Sequence, residues 1–202
     1  MPSTNVGASS FVITTPDLQS VCSGSHGVPN GSSLMDPYRA ELYGIFCIVC
    51  TLTHLVKHYN IQKGSLTIAC DNKTSLHNAF SYDTRASIMM SSHDILWAIH
   101  DLCINLPISL IPQHVKGHQD QNYSPRPLSL LAKLNCYVDF QAGEYRKYIE
   151  QTPSYVYSQL HFYMNWNCSI NSNIITSKIE TSIKNHIYKK QIDNSKDILD
   201  KL

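Results

Sequence analysis

Asp36-Pro37, followed by apolar residues at Leu42, Ile45, Phe46, Val49, Leu52, Leu55, Val56 and Tyr59, constrains this chain more than any other feature. A carboxylate at the cap with proline at the first helical position opens a helix. Apolar residues spaced by three and four then form a long stripe that must be buried. Asn60 and Gly64 close it. Such a helix needs a sheet or other helices to lie on, and the flanking segments supply both.

Ser10 to Thr14 is β-branched and aromatic, a strand pattern. Thr15-Pro16-Asp17 is a turn, and Leu18 to Ser23 completes a hairpin. Ser23 to Ser33, rich in Gly and Ser, reads as a loop. Leu66 to Cys70 is a short strand, and Lys73 to Phe80 a short helix. Ser91 with Asp94 spells a capping box for a helix showing Ile95, Leu96, Ile99, Leu102 and Cys103 on one face. Ile108 to Val115 is a strand, and Pro112, which cannot donate to a ladder, puts it at a sheet edge. Gly117 to Pro127 is a polar loop. Leu128 to about Tyr148 is helical, with Leu131, Leu134, Val138 and Ala142 facing inward. The order β-β-α-β-α-α-β-α predicts an α/β fold, a mixed sheet with helices on both faces. It occupies residues 1–150. Composition then shifts toward Asn, Ile, Ser, Lys and Tyr, so 151–202 is a C-terminal appendage, with a hairpin over Gln159 to Thr176 and a helix over Ser177 to Gln191.

A hydrophobic content of 43% with 15% charged residues is that of a globular chain. The formal net charge of +1 excludes a strongly basic nucleic-acid module and leaves room only for a local patch. Seven cysteines, an odd number, fall mostly inside apolar patterns, among them Cys47, Cys50, Cys70, Cys103 and Cys136. They predict buried thiols in a reducing compartment, hence an intracellular location, cytoplasmic or nuclear. Leu42 to Val56, interrupted by Thr and His, falls short of a membrane-span pattern, so no membrane partner is expected.

Three acids stand where chemistry is usually placed in such folds. Glu41 lies in the first turn of the long helix, and Asp71 at the carboxyl end of a strand, where open α/β sheets bind ligands. Asp139 shares a helix face with Asn135, four residues earlier. Singly, each has an ordinary role: a dipole partner, a turn residue and a solvated helix position. Together, hard oxygen donors at element ends suit Mg²⁺. His114-Val115-Lys116-Gly117-His118-Gln119-Asp120 stands between the second and third of them.

Arg39-Ala40-Glu41-Leu42, Cys70-Asp71-Asn72, Val115-Lys116-Gly117-His118 and Asn135-Cys136-Tyr137-Val138-Asp139, in that order, resemble ribonuclease H. Within that family they resemble the domain that follows reverse transcriptase in retroelements, whose Gly-His-Gln-Asp loop and Leu-x-x-x-Ala-x-Leu-Asn-x-x-x-Asp helix match here. The resemblance spans Phe11 to Tyr145. It implies metal-dependent hydrolysis of the RNA strand of RNA–DNA hybrids, with two Mg²⁺ ions (Mn²⁺ as a substitute) held by Glu41, Asp71 and Asp139. It makes His118 the mobile loop residue that assists phosphate exchange and product release. Asn72, Lys116 and Asn135 become nucleic-acid contacts, and an upstream reverse transcriptase domain a partner.

The front of the chain departs from that pattern. The family's first strand, central in a sheet of order 3-2-1-4-5, carries an Asp that bridges both metals. Here only about ten residues precede the first strand, without an acid among them, and Asp17 and Asp36 lie in a turn and a cap. The resemblance therefore implies a domain lacking its central strand, with a catalytically inactive remnant that binds nucleic acid weakly as the alternative. Either the hairpin pairs directly with Leu66 to Cys70, or residues 1–9 fill part of the gap, or the isolated chain folds poorly; the last is the expectation.

Other motifs point to structure. Cys47-x-x-Cys50 lies mid-helix in an apolar stripe and predicts core packing. His114, His118 and Asp120 lack the fourth ligand of structural zinc. His54 and His58 predict a solvated face. Tyr145, Tyr148, Tyr155, Tyr157 and Tyr163 predict aromatic packing of the tail.

Overall fold

The computed structural model describes residues 6–17, 19–29, 36–81, 90–119, 127–152, 169–170, 173–174 and 181–189. Among them the fold is mixed α/β, with three two-stranded sheets and five helices. β1 (Ala8–Thr14) and β2 (Ser20–Gly27) form an antiparallel hairpin, Ala8 opposite Gly27 and Ile13 opposite Cys22. The second strand therefore runs into the stretch that composition marks as a loop. Its pairing with β1 overrides the weak strand preference of Ser and Gly. Gly24 fits because Phe11 lies across it: a Cβ there would stand 2.8 Å from the Phe11 ring.

α1 (Pro37–His58) begins as expected, with the Asp36 carboxylate accepting from the Arg39 amide at 2.6 Å. Leu42, Ile45, Phe46, Val49, Leu52 and Val56 are buried along it. By length and composition alone α1 could cross a membrane; half of that stretch is buried inside the fold, and α1 packs against β1 and the helices that follow.

β3 (Ser65–Cys70) and β4 (Ser109–His114) pair in parallel, Ser65 opposite Ser109 and Cys70 opposite His114. Parallel neighbours require a crossover, supplied here by α2 (Lys73–Phe80) and α3 (His93–Ile104). Asn72 caps α2 by accepting from the Ser75 amide at 3.0 Å. The capping box expected at α3 does not form. Ser92 holds the cap position at φ 59° with no side-chain bond to the helix. Asp94 instead accepts from both terminal nitrogens of Arg39, at 2.8 and 2.7 Å. A buried guanidinium is a stronger claimant on a carboxylate than a helix-end amide.

β4 has β3 as its only strand partner among the described residues, which makes it the edge that Pro112 predicts. α4 (Leu130–Glu150) is capped by Ser129 and packs on β1, on β2 and more lightly on β3. In the appendage, β5 (Ser169–Ile170) pairs with β6 (Asn173–Ile174), and residues 181–189 are helical. The rest of the expected hairpin and helix lies outside the described residues.

The core joins Leu42, Ile45, Phe46 and Val49 of α1 to Ile95, Leu96 and Ile99 of α3, with Phe11, Ile13 and Ile68 from the strands. Each such side chain contributes roughly 1.5–3 kcal/mol by leaving water. β1 and β3 belong to separate sheets. Direct pairing of the hairpin with Leu66–Cys70 therefore does not occur; α1 and α4 bridge the two strands instead.

Candidate functional site

The parallel register of β3 and β4 decides which residues meet. Both strands end at the same side of the sheet, so the segment after Cys70 lies beside the segment after His114. The Val115 amide donates to the Cys70 carbonyl at 3.0 Å, and His114 Nε2 lies 3.0 Å from the Asp71 carbonyl. These bonds bring the Val-Lys-Gly-His loop against Asp71. Gly117 sits directly on the Asp71 carboxylate, so close that a Cβ there would collide with Oδ2. His118 follows at φ 50°, in the left-handed region, with its side chain exposed at the rim.

Glu41 reaches the same place from α1. Because Pro37 opens the helix, Glu41 falls in the second turn, not the first, past the free amides of the helix end. The Cys70 thiol donates to Glu41 Oε2 at 3.3 Å. Ligand atoms of Glu41, Cys70 and Asp71 all lie within 4.8 Å of one another. Asp139 comes from the middle of α4, half-buried, with Asn135 Nδ2 donating to its Oδ2 at 3.3 Å.

Electrostatics ties these acids into one site. Burial pushes the Glu41 carboxyl up to about 7, and the charges of Asp71 and Asp139 push the same way. The Cys70 hydrogen bond and, less, His118 pull downward. Burial and the neighbouring acids hold the Cys70 thiol far above its usual range, so it acts as a neutral donor near pH 7. Half-buried carboxylates this close lower their energy by taking up a proton or a cation.

Glu41, Asp71 and His118 thus gather at one end of the parallel strands, and Asp139 is close enough to shift Glu41. The expected nucleic-acid contacts divide. Lys116 is exposed. Asn72 spends its side-chain oxygen capping α2, and Asn135 is buried against Asp139. Cys70 was missed as a site residue. Its only signal was the period of two along β3, which buries it with Ile68 and turns it toward α1. No family model matches the chain, and no curated protein or solved structure matches it either.

Proposed function

We propose that this chain is a ribonuclease H-like domain, of the kind that follows reverse transcriptase in retroelements, acting on RNA–DNA hybrids. The observation that carries this reading is the approach of Glu41 and Asp71 to within 4.8 Å of each other, with Asp139 of a distant helix near enough to act on Glu41. Glu41, Asp71 and Asp139 are the residues that would hold Mg²⁺ or Mn²⁺, and their hard oxygen donors fit such ions. Bound cations would supply an activated water and charge stabilisation at the leaving oxygen. Asn135 orients the Asp139 carboxylate. Lys116 meets backbone phosphate as an exposed cation, and His118, at the rim, assists phosphate exchange and product release.

A second reading, a site that binds nucleic acid without cutting it, is favoured by one feature. Among the residues lining the cleft between β1 and β3, Glu41 and Asp139 are the acids, and β1 contributes none. With Asp71 that gives three carboxylates where bridging of two metals calls for another.

The test is an RNA–DNA duplex incubated with the purified chain and Mg²⁺. Saturable binding, weakened by Lys116→Ala, is expected, with cleavage roughly a thousandfold or more below an intact enzyme of this class. Failure to bind either hybrid or divalent cation refutes the proposal. Robust cleavage abolished by Asp71→Asn refutes the non-cutting reading.

A further inference from the structure

β1 and β3 flank a cleft with a cavity volume of about 160 Å³, open to solvent at its ends and closed on its sides by Gly44 and Ile45 of α1 and by Leu134 and Val138 of α4. Every residue of β1 from Ala8 to Thr14, and of β3 from Leu66 to Cys70, lines it. A strand presenting one face would contribute only alternate residues. An unbroken run means that each strand presents its edge.

The ladder phases agree. The Val28 amide donates to the Gly7 carbonyl at 2.8 Å, continuing the β1–β2 register. Antiparallel bonding then turns Ser9, Phe11 and Ile13 toward β2, and the backbone groups of Ala8, Ser10 and Val12 toward the cleft. In the parallel ladder, Ser109 donates to the Gly64 carbonyl and Val115 to that of Cys70. That phase turns Thr67 and Ala69 toward the cleft from the other side. No strand pairing among the described residues takes up these groups. The Ser9 hydroxyl, buried beside the cleft, also has no hydrogen-bond partner among the described residues.

The geometry points to a strand-accepting slot: an extended segment of a partner polypeptide, apolar on both faces and cationic at one end, inserts between β1 and β3 and joins the two sheets. Two facing rows of amide and carbonyl groups are complementary to one chemistry above others, an extended backbone. Apolar helix faces on both sides require apolar residues at both alternating sets of positions, as in any strand covered on both faces. The six residues of β3 set the length, about 20 Å at the usual rise. Charge marks one end. Glu41 and Asp139 line the cleft beside Cys70, at the end of β3, and no Lys or Arg lines it, so a cation at that end of the incoming strand finds a negative neighbour. This inference stands whether or not the site cuts nucleic acid.

The experiment mixes the full chain with a synthetic peptide of about eight residues, Val and Ile with a Lys at each end, so that either orientation brings a cation to Glu41 and Asp139. Binding is read by fluorescence anisotropy and amide exchange by NMR. Saturable one-to-one binding is expected, with exchange at Ser10, Val12, Thr67 and Ala69 slowed at least about tenfold. A peptide N-methylated at alternate residues loses its donors and binds at least about tenfold more weakly. Glu at the ends weakens binding, and added salt narrows that difference. Ala142→Trp, which fills the cleft from α4, abolishes binding; the N-methylated peptide makes the same test without altering the protein. The proposal is overturned by absence of saturable binding, by equal binding of the N-methylated peptide, or by protection of those four amides without peptide. The last result means that this chain, or a second copy of it, already occupies the slot.

Discussion

Arg39 and Asp94, 55 residues apart in sequence, form a two-pronged ion pair in the interior, with side chains 2% and 5% exposed. Arg39 Nε also donates to the Pro29 carbonyl at 3.0 Å, so the guanidinium ties α1 to α3 and to the end of the hairpin segment. Removing one member leaves a buried charge without its partner. Asp94→Ala is expected to cost about 3–5 kcal/mol, read as a lower urea midpoint, and Asp94→Asn less. A loss below about 1 kcal/mol for the alanine variant would mean that water reaches the guanidinium.

The raised Glu41 carboxyl makes stability depend on pH. A carboxyl whose folded value lies above its unfolded value contributes stability that is complete below pH about 4.5. That contribution is lost as pH rises through about 7. In EDTA, the chain is therefore expected to be less stable at pH 8 than at pH 5 by an amount on the order of 3 kcal/mol from this group. Glu41→Gln removes the dependence. Urea midpoints at the two pH values check it, and equal slopes for both proteins contradict it.

Gly117 is the residue that lets the loop approach Asp71 so closely. Gly117→Ala must displace either the carboxylate or the loop. Divalent-cation affinity, measured by titration calorimetry, is expected to fall about tenfold or more while the melting temperature changes little. Unchanged affinity would remove Asp71 from the binding set.

The sequence made the order of elements readable because each carries a local signal: Asp36-Pro37 at the start of α1, period two in β3, period 3.6 in α3. It misplaced β2, where Ser and Gly carry no strand preference and cross-strand pairing decides. It misassigned Asp94 because a short-range capping motif cannot reveal a competing partner 55 positions away. Asp71 could be picked out by its position at a strand end, and Glu41 and Asp139 only through the motifs around them. The approach of the His118 loop to Asp71 depends on the parallel register of β3 and β4, and the part played by Cys70 on its alignment with α1; both are long-range facts.

Pro112 bears on how copies of this chain meet one another. The phase of the parallel ladder turns its backbone to the outer side of β4, where a proline offers no N–H to an incoming strand. Growth of the sheet from that side is thus interrupted, while the inner edges lie recessed between two helices. A chain built this way can leave strand edges unpaired without seeding fibrils. Pro112→Val is expected to restore the missing donor and bring on thioflavin-positive aggregation at concentrations where the parent chain stays clear by light scattering.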